Sequence, residues 1–396
     1  MFAPRRQFEA KFAKSRYSRR MLDRPRNQVF ACPLRYTQGP DATKVLGAEI
    51  AGLGLRGPVF LLAGRAATAA LAQTWTETFA AAGMAFTTHA FGGECSRAEI
   101  ARGRAAAAAF GARVIVAAGG GKALDTGRAI ADELGLPIVC CPTIASTDAP
   151  CSALSVIYTD DGVVETAQQY PHNPALVLVD SAVIRRAPLR LLVAGMGDAL
   201  STWFEARACY RSGALNVRGA RATHTAMAIA ECCWRSLQAD GVAAIAAMKS
   251  SVVVPPPELE RIIETNTLLS GLGFESAGLA GAHAIHNGIT VAEGSHAYYH
   301  GEKVAFGTLA QLVLEQAPTA ELDSVLDFCI ATNLPVTLGE IGLGGASDEL
   351  IARIAQRAVI PGEWIHNEPF VVTAAAVVDA IRGADALGRA RLAMRA

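Results

Sequence analysis

From Pro58 onwards the chain alternates short, uninterrupted apolar runs with longer stretches whose apolar residues recur at helical spacing. Pro58-Val59-Phe60-Leu61-Leu62-Ala63 reads as a buried strand, and a helical pattern follows from Ala67 to about Ala82. A second strand ends near Phe91, and Arg97 to Phe110 is again helical. Ala112 to Ala118 is a strand, Lys122 to Leu134 a helix, Pro137 to Cys141 a strand, and Leu176 to Asp180 one more. Strands alternating with helices need crossover connections, which place neighbouring strands parallel and cover both faces of the sheet. The fold class is therefore α/β with a parallel sheet in this half.

After about Pro188 the pattern changes. Helical spacing continues through Leu189 to Arg211 across Gly195 and Gly197, and β-rich runs become scarce. Val252-Val253-Val254 is the exception, halted by prolines 255–257, which can supply the first turn of the next helix. Helix then follows helix to the C-terminus. The division predicted is a tail over residues 1–28, an α/β domain over 29–187 and an all-α domain over 188–396.

Composition narrows the function classes. Lysine plus arginine and aspartate plus glutamate both number 36, so the chain lacks the basic surplus of a nucleic-acid binder. The balance is uneven, because residues 1–28 hold nine basic side chains against Glu9 and Asp23. That segment is read as a flexible tail, with an organelle transit segment or a later start at Met21 as alternatives. It has no apolar core of a secretory signal, and no run elsewhere is long and apolar enough for a membrane span. Nine scattered cysteines without a C-x-x-C pair read as reduced core thiols of a cytoplasmic protein.

Two constellations carry chemistry. Gly119-Gly120-Gly121-Lys122 follows a strand and opens a helix containing Asp125. Glycines there let backbone N–H groups approach a phosphate, although a tight strand-to-helix turn would need them as well. His283, His286, His296 and His300 share an eighteen-residue window. Catalytic zinc takes three imidazole or carboxylate ligands and keeps one position open. Spacing favours His283 with His286, one turn apart, then His296 or His300. It leaves the carboxylate open; Asp198, after Gly195-Met196-Gly197, is a candidate that could equally be a helix N-cap.

Taken together, several strings resemble one family. They are Gly119 to Lys122 with Asp125, the run from Pro142 to Tyr158 (PTIASTDAPCSALSVIY), and Gly195-Met196-Gly197-Asp198-Ala199. Gly273-Phe274-Glu275-Ser276 leading to His283-Ala284-Ile285-His286-Asn287-Gly288, and Tyr298-Tyr299-His300-Gly301-Glu302-Lys303-Val304, complete the set. From about Tyr36 nearly to its end, the chain resembles the glycerol dehydrogenases of the metal-dependent, iron-containing-type alcohol dehydrogenase superfamily. The resemblance implies a dehydroquinate synthase-like architecture, an α/β nucleotide-binding domain and a helical domain with the site between them. It implies Zn2+ held by Asp198, His283 and His300, which moves His286 from ligand to pocket residue. It also implies dinucleotide contacts from Gly120, Gly121, Lys122, Asp125, Thr143, Ser146, Ser152, Leu154 and Tyr158, and a substrate contact from Asp148. The implied reaction oxidises the secondary hydroxyl of glycerol to dihydroxyacetone, with hydride passing to NAD, in a homo-oligomer, often an octamer.

One departure stands out. Where the family carries an aspartate for the adenosine ribose, this chain reads Ala63-Gly64-Arg65. Losing the carboxylate removes its repulsion of a 2′-phosphate, and Arg65 could attract one, so NADP is a possible cofactor beside NAD. A dehydrogenase for another 1,2-diol or hydroxy acid, and a lyase like dehydroquinate synthase, are the alternative readings. The Ser146 to Pro150 and Tyr298 to Lys303 strings favour the dehydrogenase.

Overall fold

The computed structural model describes residues 27–395. The basic tail lies outside them except for Asn27 and Gln28, and Gln28 forms a β-bridge with Arg221. Among the described residues there are eight strands: β1 (Tyr36–Gly39), β2 (Val59–Ala63), β3 (Phe86–Ala90), β4 (Val114–Gly119), β5 (Ile138–Pro142), β6 (Leu154–Tyr158), β7 (Val164–Gln169) and β8 (Leu176–Asp180). Six of them form one sheet in the order β1-β8-β5-β4-β2-β3, parallel at every pairing. The antiparallel hairpin of β6 and β7 stands apart from it.

The sheet strands are apolar on both faces because both are covered. Leu61, Val116 and Leu178 face one core beneath α1 (Leu46–Gly52) and α2 (Arg65–Ala81), with Ile50, Leu71, Trp75 and Phe79 packed against them. Phe60, Leu62, Ile115, Cys140 and Val177 face the other, beneath α3 (Arg97–Phe110) and α4 (Gly121–Leu134). Burying each such side chain contributes roughly 1.5–3 kcal/mol. Helix starts follow local chemistry. Ser96 caps α3 by accepting the Glu99 N–H, and Gly111 ends it at φ 73°, a conformation glycine adopts without steric penalty.

Beyond β8 the chain is helical: α5 (Ser181–Ile184), α6 (Leu189–Ser212), α7 (His224–Lys249), α8 (Pro257–Glu264), α9 (Ser270–Ala277), α10 (Gly281–Ile289), α11 (His300–Leu314), α12 (Thr319–Thr332), α13 (Asp348–Ala358) and α14 (Ala374–Ala393). A π-helical turn, Thr265–Leu269, links α8 to α9. The second core of the sheet runs on without a break into Met196, Phe204, Ile285, Phe306 and Ile381, so the helices dock directly on it. The valine run at 252–254 forms no strand. Its side chains are exposed and no neighbouring strand pairs with it, while Pro257 does start α8 as its first residue. No helix among the described residues is long and apolar enough to cross a membrane.

Strand order fixes where a ligand sits. From β2 the chain moves outward to β3, then returns to β4 on the other side of β2, so the direction of winding reverses between β2 and β4. Parallel sheets bind ligands at such a reversal, beyond the carboxyl ends of the strands. There Ala63 lies opposite Ala118, and Gly64 N–H donates to Ala118 O. The Gly64-Arg65 step and the 119–122 glycine turn are thereby side by side.

Candidate active site

The glycine turn forms a cradle. Gly120 is extended as the N-cap of α4, and the helix begins at Gly121. A Cβ on Gly119 would stand 2.8 Å from Ala123 Cβ, which cannot turn away, whereas one on Gly120 would stand 2.9 Å from Ile144 Cδ1, the movable end of its side chain. Thr143 N–H donates to Gly119 O and ties the end of β5 to the cradle. Lys122 is exposed at the rim, its Nζ 2.5 Å from Glu94 Oε2 and 4.7 Å above the Tyr158 ring. Thr143, Ser146, Leu154 and Tyr158 are half-buried around this opening.

Two of the predicted dinucleotide contacts face inward instead. Asp125 is buried, one oxygen 2.7 Å from Arg128 Nη1 and the other accepting the Val156 N–H. Arg128, 1% exposed, also donates to the Leu154 and Ala149 carbonyls. This buried pair staples α4 to the 149–156 segment, and its position in the first turns of α4 gave no hint of which way the carboxylate turned. Ser152 is likewise buried and its hydroxyl donates to Ala149 O.

A second constellation forms among the helices. Asp198 does not cap a helix; it lies inside α6, because Gly195 and Gly197 are also helical. Glycine inside a helix costs about 1 kcal/mol relative to alanine. Packing explains it here. A Cβ on Gly195 would sit 2.0 Å from Ala145 O and one on Gly197 2.3 Å from Gly301 O. The two glycines let the loop after β5 and the start of α11 press against α6 on either side of Asp198.

His283, in the first turn of α10, and His300, first residue of α11, complete the group. Their Nε2 atoms lie 3.6 Å and 3.1 Å from Asp198 Oδ1, and one ligand atom from each of the three residues falls within 4.8 Å of the others. Asp198 Oδ2 accepts the Asp148 N–H at 3.2 Å, and the Ser270 hydroxyl donates to Asp148 Oδ2 at 2.7 Å. His286 is not in this group. Its Nε2 faces His300 Nδ1 at 3.1 Å and its Nδ1 faces Asn287 Oδ1 at 3.2 Å, so it orients His300 from behind. His296 is exposed and lies against Thr290 O.

Electrostatics separate the two neighbouring carboxyls. Burial opposes ionisation of Asp198, but the His300 and His283 imidazoles outweigh it and hold its carboxyl well below the usual range. Burial, reinforced by the charge of Asp198, pushes Asp148 well above it. Burial together with His300 and Lys303 pushes His286 well below the ordinary imidazole value.

The donor set, one carboxylate and two imidazole Nε2 atoms, fits a divalent metal. Asp198 Oδ1 is fully buried and makes no aligned hydrogen bond, an arrangement unfavourable for a carboxylate oxygen unless a cation completes it.

Two residues escaped the sequence reading. Glu205 is fully buried, and its Oε2 lies 2.6 Å from His283 Nδ1. It follows Asp198 by seven residues, two helical turns on the same face, and that spacing was the available signal. Glu302 accepts the Tyr299 N–H and hydrogen bonds from Arg190 Nε and Nη2, fixing the turn that delivers His300.

Comparison with known proteins agrees with this architecture. Residues 33–181 match the family model described as iron-containing alcohol dehydrogenase. The chain is 48% identical over 366 residues to a glycerol dehydrogenase of Citrobacter freundii, covering 92% of this chain and 99% of that protein. It is 42% identical over 361 residues to a glycolaldehyde reductase of Halobacterium salinarum, covering 91% and 98%. The crystal structure of glycerol dehydrogenase from Schizosaccharomyces pombe superposes with a TM-score of 0.88 at 37% identity, covering 92% of each chain. The chain belongs to the glycerol dehydrogenase family of the iron-containing alcohol dehydrogenases.

Proposed function

We propose that the protein oxidises glycerol at its secondary hydroxyl to dihydroxyacetone, with NAD or NADP as hydride acceptor and Zn2+ held by Asp198, His283 and His300. The observation that carries this reading is the buried Asp198 Oδ1 facing two imidazoles, while the other oxygen of the same carboxylate accepts the backbone N–H of a second acid, Asp148. A metal in that group supplies Lewis acidity toward an alcohol oxygen, and the dinucleotide supplies the hydride acceptor. The chain's own residues do the rest. Asp198 stays ionised, and the close approach of α6 and α11 at Gly197 and Gly301 keeps the His300 imidazole aimed at it. Asp148, anchored by Ser270, is placed to hydrogen-bond a substrate hydroxyl and to help pass its proton outward. The cradle of Gly120 and Gly121, with Lys122 at its rim and Thr143, Ser146, Leu154 and Tyr158 around it, holds the dinucleotide. Asp125 and Ser152 support that wall from inside.

Arg65 carries the NADP part of the reading. It is exposed as the first residue of α2, and no heavy atom lies within 4 Å of where a Gly64 Cβ would stand, which leaves room for a 2′-phosphate. We further read residues 29–187 and 188–396 as the nucleotide-binding and metal-binding domains. The family likeness supports a cytoplasmic homo-oligomer, an octamer. The likeness to a glycolaldehyde reductase favours a second substrate reading, another small 1,2-diol or hydroxy acid in the same pocket. NAD(P)-linked turnover of a panel of diols and hydroxy acids, with the product identified, separates the two. Glycerol giving the highest kcat/KM and dihydroxyacetone as product is the outcome predicted here.

A further inference from the structure

The geometry points to Glu205 as the residue that positions His283 for metal binding, by fixing both its ring tautomer and the helix that carries it. This inference rests on the metal reading above. Glu205 Oε1 accepts the N–H groups of Ala280 and His283 at 2.8 and 2.9 Å, two of the otherwise unpartnered donors where α10 begins. Its Oε2 faces His283 Nδ1 at 2.6 Å. The neighbouring donors are taken by others: Gly281 N–H by Glu368 Oε1 and Ala282 N–H by Gln311 Oε1. Three buried side chains therefore cap one helix, but only Glu205 also touches the imidazole.

A carboxylate accepts hydrogen bonds and donates none, so His283 Nδ1 must carry the ring proton. In the neutral ring, the form that binds a metal, the lone pair is then on Nε2, the atom that faces Asp198 Oδ1. Because Glu205 is fully buried and holds the backbone of His283 with its other oxygen, ring and main chain are aligned by one rigid group. Metal-bound histidines depend on such partners, whose loss weakens metal binding about 10- to 100-fold.

Glu205→Gln isolates the tautomer from the cap. Its amide oxygen can still accept the two N–H groups, while its NH2 donates to Nδ1, which drives the proton to Nε2 and blocks the ligand atom. Transfer of Zn2+ from the holoenzyme to a chromophoric chelator, with unfolding of the metal-free protein measured alongside, reads the two effects separately. Glu205→Gln is expected to weaken Zn2+ retention 10- to 100-fold with metal-free unfolding nearly unchanged. Gln311→Ala, which loses a cap and a hydrogen bond to Glu315 but no contact with the imidazole, is expected to lower metal-free stability and keep wild-type retention. If Glu205→Gln does not accumulate as folded protein, Glu205→Asp, which withdraws the carboxylate from both the cap and Nδ1, is expected to weaken Zn2+ retention well beyond Gln311→Ala, which leaves the imidazole contact intact. Retention equal to wild type in the Glu205 variant, while Asp198→Asn releases the metal, overturns the role of Glu205 alone. Wild-type protein that holds no Zn2+, or holds it independently of Asp198, overturns the metal reading itself.

Discussion

Gly301 approaches Ala194 so closely that a Cβ on Gly301 would lie 1.8 Å from the Ala194 carbonyl oxygen and 2.8 Å from the Asp198 nitrogen. This approach of α11 to α6 sets His300, one residue earlier, against Asp198. Both obstructing atoms are backbone, so no side-chain rotation relieves the clash. Gly301→Ala should cost at least about 3 kcal/mol, the upper part of the range for overpacking a dense interior. It should also release the Zn2+ proposed above, because the shift occurs beside Asp198 and His300, two of its proposed ligands. Urea unfolding together with metal content checks both, and a variant as stable as wild type with its metal retained would contradict the packing argument.

Asp125 gives a second prediction. Its carboxylate is committed to Arg128 and the Val156 N–H inside the fold. Asp125→Asn leaves a buried guanidinium without its counter-charge, and breaking such a pair costs about 3–5 kcal/mol. Stability should fall by at least about 2 kcal/mol, since the amide oxygen and two carbonyls still accept from Arg128. KM for NAD should change less than threefold where the variant remains folded. A large rise in KM with unchanged stability would return Asp125 to the dinucleotide surface.

The glycine cradle, the alternating strands and the histidine window were legible in the sequence because each follows from local spacing. Strands β2, β4 and β5 are continuous apolar runs, and α3 has its own cap signal in Ser96 and Glu99. What was not legible depends on distant partners. Strand β1 is four half-buried residues, Tyr-Thr-Gln-Gly, that become a strand only by pairing with β8. The exposed valines at 252–254 have strand propensity and no partner. Spacing pairs His283 with His286 and leaves His296 or His300 to follow, since two imidazoles one turn apart resemble a ligand pair until the start of α11 is packed in place. The inward turn of Asp125 depends likewise on Arg128, and Asp198 on two glycines whose purpose is visible only from the helices they admit.

Glu368 makes stability depend on pH. Burial, reinforced by Glu315, raises its carboxyl from 4.5 to about 8, while the Gly281 N–H works in the opposite direction. A group whose folded pKa is raised contributes stability fully present below its unfolded pKa and lost as pH rises through the folded one. Stability should therefore fall between about pH 4.5 and pH 8 and level off above. Glu368→Gln keeps an acceptor for Gly281 and cannot ionise. Its gain over wild type should be on the order of 3 kcal/mol larger at pH 8 than at pH 5. Urea midpoints at the two pH values check this, and parallel curves for the two proteins would rule out the assignment.

Cofactor choice tests the Gly64-Arg65 step. The wild-type enzyme should use NADP with a kcat/KM within about tenfold of that for NAD, because no carboxylate opposes a 2′-phosphate there. Gly64→Asp should lower NADP use at least tenfold and leave NAD use near its starting value. A wild-type preference for NAD of a thousandfold would show that other contacts select the cofactor.

The most direct test of a metal-assisted polyol dehydrogenase is glycerol oxidation by protein stripped of metal, assayed before and after Zn2+ is added back. Activity should vanish on stripping and return with about one Zn2+ per chain, while Asp198→Asn should remain inactive at the same Zn2+ concentration with its fold intact. Rates indifferent to the metal, or full activity without Asp198, would contradict it.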